Sequence, residues 1–355
     1  MIKNDNGALN LDAINRGRRC KWWRRRGGKK SGFKYFDHNG AKITDEKQIE
    51  RINKLVIPPA WTHVRICPNT RAGLQAIGFD TAGRIQYKYS LQFSAKQQAK
   101  KFLKIERFGE FLPKLRKLTN EYISLEGYPK EKVLAVVMRL INDLYIRVGS
   151  EKSVKEYKTY GVTTLRNRHL TIEKGGKLNF NFVGKHSIRH RRLIVDEELA
   201  AIMTDLKAMG GSKLFNYQDA QGTVRPVTPR DVNDFLKTAT SPEFSAKDFR
   251  TWGATVLAAT ELAQIGAPET KTQTKKNIVE AVKKVAEHLG NTPAVCRSSY
   301  IHPAVIEAYE QGTTIEEFRP RKKRTIEKLS PELSIEEIAV MRLLEKAKNN
   351  GKTGK

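Results

Sequence analysis

Short runs of alternating apolar and polar residues dominate the first third of the chain and predict a small β-rich region. The residues RIQYKY at 84–89 alternate as a half-buried strand does. Turns are predicted at 37–40 and 80–83, because the Asn-Gly and Ala-Gly pairs there tolerate positive φ. With one helix near 46–55, this pattern favours a β-rich lobe over 32–95.

Further along, the spacing of apolar residues lengthens to the period of a helix. Residues 114–125 and 132–148 predict two amphipathic helices, and helices dominate again over 196–311. Between them, three β-branched or aromatic runs separated by glycine-containing turns predict a three-stranded antiparallel sheet. The strands are predicted at 165–172, 178–183 and 188–195, with turns at 173–176 and 184–187. We expect a mainly α lobe over 96–318.

Basic residues are concentrated at the two ends of the chain. Residues 16–34 contain ten lysines and arginines and no acid, which predicts a basic leader over 1–31 that lies along phosphates; an arm without fixed structure is the alternative. The residues RPRKKR open a predicted basic tail over 319–355, with a helix at 334–348. The predicted fold class is α+β, a small β-rich N-terminal lobe followed by a larger, mainly α lobe that contains the three-stranded antiparallel sheet.

The composition adds a strong excess of positive charge. The 355 residues include 66 Lys and Arg against 38 Asp and Glu, a formal net charge of +28. Such an excess favours a polyanionic partner, because each neutralised phosphate releases condensed counterions. Charge alone leaves open a basic protein of another kind, such as a ribosomal one.

Cysteine usage and hydropathy indicate an intracellular protein. Cys20, Cys67 and Cys296 are scattered and have no histidine at ligand spacing, so neither a metal site nor a disulfide framework is predicted. No apolar run approaches the roughly 20 residues that span a bilayer, and the polar first residues lack the apolar segment of a signal peptide. We expect a cytoplasmic protein without a membrane partner.

Five polar side chains stand out in the predicted α lobe, although each also has a structural explanation. Arg147 ends the second predicted helix, where a cation suits the helix dipole, and Lys185 lies in a turn, where lysine is usually solvated. Arg250 begins an apolar helix, where a cation opposes the dipole and requires a compensating anion. Asn291 and Tyr300 lie nine residues apart. None of these spacings is specific alone.

Four motifs that contain these residues resemble, in order, the active-site motifs of type IB DNA topoisomerases. They are IRVGSEKS at 146–153, FVGKHS at 182–187, KDFRTWGAT at 247–255 and LGNTPAVCRSSYIHP at 289–303. The pattern is most similar to the small poxvirus-like enzymes of bacteria. In the β-rich region, VIPPAWTHVRIC at 56–67 and GRIQYKYS at 83–90 resemble that family's N-terminal DNA-clamping domain. Together the resemblance covers roughly 32–318.

The resemblance implies a reaction and assigns roles in the catalytic lobe. Tyr300 matches the nucleophile, whose hydroxyl attacks the scissile phosphate to give a 3′-phosphotyrosyl link and a free 5′-hydroxyl. Arg147 and Arg250 match the arginines that hold non-bridging oxygens, and Lys185 matches the general acid for the departing 5′-oxygen. Asn291 stands where many members have histidine, so it can donate a hydrogen bond but never a positive charge.

Two neighbouring residues have weaker assignments. Lys247 matches a lysine three residues before the second arginine and is a candidate assistant. His302 is not assigned as a base, because Pro303 follows it and no carboxylate is predicted to orient it.

On the predicted strand in the first lobe, the resemblance implies DNA-binding side chains. Arg84, Gln86, Tyr87 and Tyr89 match family residues that touch the duplex. Alternation places Gln86 on the opposite face from the two tyrosines. Glutamine could then read a base edge while arginine and tyrosine reach phosphates. The alternative is that Tyr87 and Tyr89 belong to the core.

The function implied is relaxation of supercoiled DNA by transient cleavage and religation of one strand. No cofactor, ATP or metal is predicted, since the sequence has neither the carboxylate cluster of a two-metal site nor a GxxxxGK[ST] phosphate loop. The implied partner is duplex DNA, held by a monomer that forms a clamp. The implied location is the cytoplasm, in association with the nucleoid.

Two other functions stay open at this point. Tyrosine recombinases share an Arg, Lys, Arg, Tyr order, but they usually have histidine where this chain has Lys247, and the IPPAW stretch also points away from them. The second alternative is an architectural DNA-binding protein whose active site has decayed. Asn291 is the one feature that favours it.

Overall fold

The computed structural model describes residues 11–15, 19, 21–320 and 332–353. Parts of the predicted leader and tail lie outside the described residues, namely 1–10, 16–18, Cys20, 321–331 and 354–355. By its internal contacts the chain divides into two compact units, Met1–Lys101 and Phe102–Lys355.

The first unit is built on a five-stranded antiparallel sheet, as the β-rich pattern indicates. The strands lie in the order β2-β1-β3-β4-β5. After the short helix α1 (Asp12–Asn15) they are β1 (Trp23–Gly28), β2 (Gly32–Phe36), β3 (Thr62–Ile66), β4 (Leu74–Phe79) and β5 (Ile85–Tyr89). Helix α2 (Glu46–Lys54) begins at Asp45, whose carboxylate caps two backbone N–H groups, and buries Ile52 in the core.

Strand β1 lies inside the segment that the sequence places in a basic leader. Arg25 explains the difference. Its guanidinium donates to the carbonyls of Pro58 and Trp61, at 3.1 and 2.6 Å, and lies 4.1 Å from the centroid of the Phe33 ring. Because the charged end is hydrogen-bonded and the stem covers an aromatic ring, an arginine-rich segment forms an interior strand of this sheet.

Both predicted hairpin turns are confirmed. Gly40 and Gly83 have φ of 95° and 72°, in the left-handed region that favours glycine. In the second turn, the Asp80 carboxylate accepts from the backbone N–H groups of Ala82 and Arg84, at 3.0 and 2.9 Å.

The second unit is mainly helical and contains the predicted three-stranded antiparallel sheet, so the α+β fold class is confirmed. The sheet has the order β6-β7-β8. Its strands are β6 (Leu170–Glu173), β7 (Lys177–Val183) and β8 (Arg189–Val195), and a short hairpin that the sequence did not predict adds β9 (Asn216–Gln218) and β10 (Val224–Pro226).

Ten further helices are described, the first of which begins in the first unit. They are α3 (Leu91–Ile123), α4 (Lys130–Leu144), α5 (Glu151–Tyr157), α6 (Glu197–Ala208), α7 (Pro229–Ala239), α8 (Ala246–Ile265), α9 (Lys271–Leu289), α10 (Pro293–Ser299), α11 (Pro303–Glu310) and α12 (Ile335–Thr353). Within the described part of the chain, none of them combines the length and the apolar character that crossing a bilayer requires.

Two helix boundaries near candidate site residues differ from the predicted ones. Helix α4 ends at Leu144, before its predicted end, because Tyr145 adopts a left-handed conformation with φ of 50°. Helix α8 begins earlier than predicted, at Ala246. The Asp248 carboxylate accepts from the Ser245 N–H at 2.8 Å and so caps the helix one turn ahead of Arg250.

Helix α12 is fixed to the second unit by a buried ion pair. Glu337 is 7% exposed and accepts from the Arg116 guanidinium at 2.7 and 2.8 Å and from Nε1 of Trp252 at 3.0 Å. Burial alone would raise the pKa of Glu337. The hydrogen bonds and charge of Arg116, with the Ser334 and Trp252 donors, outweigh burial and lower that pKa below its usual value.

Glu337→Gln is expected to lower the free energy of unfolding by about 3 kcal/mol, because it leaves the buried Arg116 charge without its partner. The contribution of Glu337 should be present above the unfolded-state pKa of glutamate and lost as the pH falls through its lower folded-state pKa. Urea denaturation at neutral and acidic pH measures both effects. Glu336→Gln, the same change at the neighbouring and more exposed carboxylate, should cost less than about 1 kcal/mol. Equal losses in the two variants would contradict the role of the buried pair.

Candidate active site

The predicted catalytic residues other than Asn291 line one cleft of the second unit, with a volume of about 820 Å³. Its lining includes Arg147, Lys185, Lys247, Arg250 and Tyr300. Helix α7 contributes further lining residues, which are Pro229, Arg230, Asn233, Asp234 and Lys237. Four of the predicted cations and one phenol therefore share a common space.

The Arg250 guanidinium holds the ends of two helices together. It is 3% exposed, and it donates from Nη1 to the carbonyl of Tyr145, just beyond α4, and from Nη2 to the carbonyl of Leu289, the last residue of α9, at 2.8 Å. Helix C-termini carry partial negative charge. The compensating anion that the sequence requires for this cation is thus supplied by two helix ends and not by a carboxylate.

The junction of the two helix ends at Arg250 places Arg147 and Asn291. Each of them lies two residues after a residue whose carbonyl accepts from Arg250. Nη2 of Arg147 donates to Oδ1 of Asn291 at 2.6 Å. Because the chain leaves α4 through the left-handed turn at Tyr145, Arg147 lies in a loop and not at the end of the helix, as the sequence had predicted. Nδ2 of Asn291 is buried and has no hydrogen-bond partner among the residues that the structure describes. It is a donor that a bound ligand could satisfy.

Tyr300 lies at the C-terminal end of α10, beside Arg250. Its ring centroid is 5.4 Å from the guanidinium carbon. Its backbone N–H donates to Cys296 at 2.9 Å, and its carbonyl accepts from Oγ1 of Thr255 at 3.3 Å. Since Thr255 and Arg250 are both on α8, one helix holds the phenol-bearing segment and the cation beside it.

The electrostatics of the cleft favour an anionic ligand. Burial and then the charge of Arg147 lower the pKa of Arg250 to about 10, while the hydrogen-bonded Tyr300 acts in the opposite direction. The guanidinium still carries its charge at neutral pH. A buried cation destabilised by desolvation and by a like charge is stabilised when an anion enters, and the planar guanidinium suits phosphate oxygens.

Lys185 and Lys247 are the exposed members of the cluster. Lys185 lies in the turn between β7 and β8, as predicted, and the next two residues, His186 and Ser187, have φ of 63° and 60°. Lys247 is in the first turn of α8, three residues before Arg250. Both ammonium groups are accessible to a ligand in the cleft.

The prediction that no carboxylate orients His302 is wrong, because one does face it. Oε1 of Glu106 on α3 lies 3.5 Å from Nε2 of His302. The ring is 8% exposed and packs against Phe102, and its Nδ1 accepts from the N–H of Ala304 at 3.2 Å. These are the contacts of a helix N-cap, and His302 is not among the residues that line the cleft.

The predicted DNA-binding residues lie on and beside β5 in the first unit. Arg84 and Gln86 both donate to the Asp80 carboxylate, at 2.8 and 2.9 Å. Tyr87 and Tyr89 are 43% and 44% exposed, and their rings stack with centroids 6.1 Å apart. The tyrosines are therefore surface residues and not part of the core.

Comparison with protein families agrees with the motifs. The model of the eukaryotic DNA topoisomerase I catalytic core matches residues 90–329, and the model of the bacterial DNA topoisomerase IB N-terminal domain matches residues 32–80. The chain belongs to the type IB DNA topoisomerase family. DNA topoisomerase 1B of Acanthamoeba polyphaga mimivirus is 33% identical over 297 residues, which cover 82% of this chain and 88% of the relative.

A poxvirus relative shows similar coverage at lower identity. DNA topoisomerase 1B of vaccinia virus (strain Copenhagen) is 25% identical over 291 residues, 78% of this chain and 88% of the relative. Among solved structures, XerH site-specific recombinase bound to difH aligns with a TM-score of 0.35 and 15% identity, over 54% of this chain and 49% of that chain.

Three contributors to the site of this type IB topoisomerase were not found from the sequence. Tyr145 acts through its backbone carbonyl, which every residue type has. Arg192 on β8 donates to the carbonyl of His288 at the end of α9. His190, also on β8, is buried against Gly184, which precedes Lys185, and Gly290, which precedes Asn291. The RHRR run that follows the FVGKHS motif was the available signal, but its basic composition resembles a solvated strand.

Arg250→Lys is expected to lower the free energy of unfolding of this topoisomerase by about 2 kcal/mol, because the single ammonium nitrogen lacks the planar fork whose two nitrogens bond the Tyr145 and Leu289 carbonyls separately. Urea denaturation without DNA measures the change. Arg297→Lys, the same change at an exposed arginine of α10, should alter it by less than about 0.5 kcal/mol. If the two variants unfold alike, the guanidinium does not hold the helix ends together.

Proposed function

We propose that this chain relaxes supercoiled duplex DNA by cutting and resealing one strand through a 3′-phosphotyrosyl intermediate at Tyr300. The observation that carries the proposal is the 5.4 Å between the Tyr300 ring centroid and the Arg250 guanidinium carbon, in a cleft that Arg147 and Lys185 also line. Membership of the type IB family supports it.

In the proposed cleavage step, the Tyr300 hydroxyl oxygen attacks the scissile phosphorus, and the bond from phosphorus to the 5′-oxygen breaks. The phenolic proton passes to solvent, and Lys185 donates a proton to the departing oxygen, which leaves as a 5′-hydroxyl. Arg147 and Arg250 bind the non-bridging oxygens, whose charge grows in the transition state. Religation is the reverse, with the 5′-hydroxyl attacking the phosphotyrosyl phosphorus.

Two buried donors support the proposed contacts with those oxygens. A guanidinium has five N–H donors, so Arg250 keeps some for a ligand although it bonds two carbonyls. Nε of Arg250 and Nδ2 of Asn291 are buried and without a hydrogen-bond partner in the described part of the chain. Since an unmet buried donor costs free energy, a phosphate oxygen that accepts from it stabilises the complex. Asn291 then makes with a neutral amide the contact that many members make with histidine.

The proposed reaction requires neither ATP nor metal. The phosphotyrosyl bond conserves the free energy of the broken phosphodiester, and strain in the DNA drives rotation. Arg147, Lys185 and Arg250 supply the positive charge that stabilises the transition state, with Lys247 as a candidate assistant.

The proposed partner is duplex DNA, bound by a monomer that closes around it as a clamp and located at the nucleoid. The formal charge of +28 supports a polyanionic partner. Exposure of Tyr87 and Tyr89 supports a role for β5 in DNA contact, together with Arg84 and Gln86.

Tyr300→Phe is expected to bind DNA normally and to form no covalent adduct, because it removes only the nucleophilic oxygen. Trapping of protein on end-labelled DNA in a denaturing gel, with EDTA present, measures the adduct and its independence of metal. Tyr157→Phe, at an exposed tyrosine of α5 outside the cleft, should form the adduct as the parent does. An adduct with Tyr300→Phe would remove the assignment.

Lys185→Ala is expected to slow single-turnover cleavage by about 100-fold or more, because the leaving oxygen loses its proton donor. The rate should recover when sulfur replaces the bridging 5′-oxygen, since a thiolate leaves without protonation. Lys174→Ala, at the exposed lysine in the turn between β6 and β7, is the matched control and should cleave both substrates at nearly the parent rate. Failure of the sulfur substrate to restore the rate would argue against the acid role.

A further inference from the structure

One buried imidazole contacts both loops that carry residues of the cleft. His190 lies on β8 opposite Phe182 on β7, and the two rings stack with centroids 5.1 Å apart at an angle of 23°. His190 is 6% exposed. One edge of the ring lies against Gly184, in the turn between the two strands, and Gly290, in the loop after α9.

Both contacts are made at glycine. A Cβ on Gly184 would lie 2.6 Å from Cδ2 and Nε2 of His190, and a Cβ on Gly290 would lie 2.7 Å from its Cε1. Gly184 has φ of −96°, which suits any residue, so its lack of a side chain serves the approach of the ring. Gly184 immediately precedes Lys185, and Gly290 immediately precedes Asn291.

We propose that His190 is a positioning residue whose imidazole sets the distance between the turn that presents Lys185 and the loop that presents Asn291. The inference rests on the proposed function of those two residues. The tip of the turn is exposed at Lys185, so its position is fixed by contacts at Gly184, where the backbone lies against the His190 ring. One rigid group between two backbones gives the two loops a common reference.

A second contact from the same strand supports this role. Two residues along β8, the Arg192 guanidinium donates to the carbonyl of His288, near the end of α9. Strand β8 therefore contacts the segment before Asn291 at two points, the His288 carbonyl and the Gly290 backbone. The strand that closes the Lys185 turn is the same strand that holds the Asn291 loop.

The ring acts through its shape. Burial, followed by the charges of Arg192, Arg147 and Arg250, lowers the pKa of His190 to about 4. The imidazole is therefore neutral at neutral pH and adds no charge to the cleft. A flat neutral ring can lie against two peptide backbones at once, which a flexible cationic side chain cannot do without a partner.

The first test removes the imidazole ring in one variant and, in a second variant, fills the space beside the ring with a methyl group. His190→Ala and Gly184→Ala should each slow single-turnover cleavage of an ordinary 5′-oxygen substrate by about tenfold to 100-fold, the range expected for a misplaced catalytic group. In the double variant, the new methyl group enters space that the imidazole has left. The fold-decrease in its cleavage rate should therefore be smaller than the product of the fold-decreases in the two single variants.

A substrate with a bridging 5′-sulfur identifies the step that is affected. Because thiolate departure needs no acid but still needs the Asn291 contact, both single variants should recover part of their rate on it, while DNA binding stays at the parent level. His169→Ala is the matched control, since His169 is another buried histidine of the second unit, 8% exposed and packed on the Tyr160 ring at 4.4 Å. It should cleave both substrates at nearly the parent rate.

Three results would overturn the positioning role: equal slowing on both substrates, single effects that simply multiply, or a loss matched by His169→Ala. If His190→Ala fails to fold, the two substrates are compared with Gly184→Ala only, since this variant retains the imidazole ring. The parent protein separates this inference from the proposed function. A parent that forms no adduct on either substrate refutes the function, whereas a reactive parent with an unimpaired His190→Ala variant refutes only the inference.

Discussion

The geometry of the cleft depends on one buried guanidinium that binds the carbonyl groups at the ends of two helices. Arg250 lies between the ends of α4 and α9, and the chain leaves each helix at the bonded carbonyl. The hydrogen bonds that join the helices therefore also place Arg147 and Asn291, two residues further on. Burial of this charge is tolerated because both helix ends carry partial negative charge. At this position the stability of the fold and the geometry of the cleft have the same cause.

Around that junction the cleft combines two kinds of donor. Arg250 and Asn291 are held inside by hydrogen bonds, whereas Lys185 and Lys247 extend from exposed positions. This division suits the two tasks proposed for them. Stabilising charge on phosphate oxygens requires donors that are already in place, because reorganisation would cost free energy during the reaction. Transferring a proton requires a group that can approach the leaving oxygen and exchange its proton with solvent.

Local patterns were enough to predict the three-stranded sheet and both hairpins, because alternation and glycine turns are encoded within a few residues. Five of the side chains that the motifs predicted share the cleft, and the sixth, Asn291, is hydrogen-bonded to Arg147 in its lining. The errors lie where distant contacts override the local pattern. Helix α4 stops at Tyr145, whose carbonyl bonds Arg250 from 105 residues away. The strand predicted from residue 165 begins only at Leu170, after a 3-10 turn over Asn167–His169. The basic β1 pairs with β2 and β3 in the sheet, where the Arg25 side chain donates to carbonyls of the loop before β3.

Several arginines are bonded within the protein, so the formal charge overstates the number of cations that can contact DNA. Arg25, Arg51 and Arg116 direct their guanidinium groups at carbonyl or carboxylate oxygens of the protein itself. They count towards the +28, yet they hold loops, a helix and a sheet together. The steepness with which DNA affinity falls as ionic strength rises will therefore be less than the full cation count suggests. It will follow the lysines and arginines whose charged ends reach the surface.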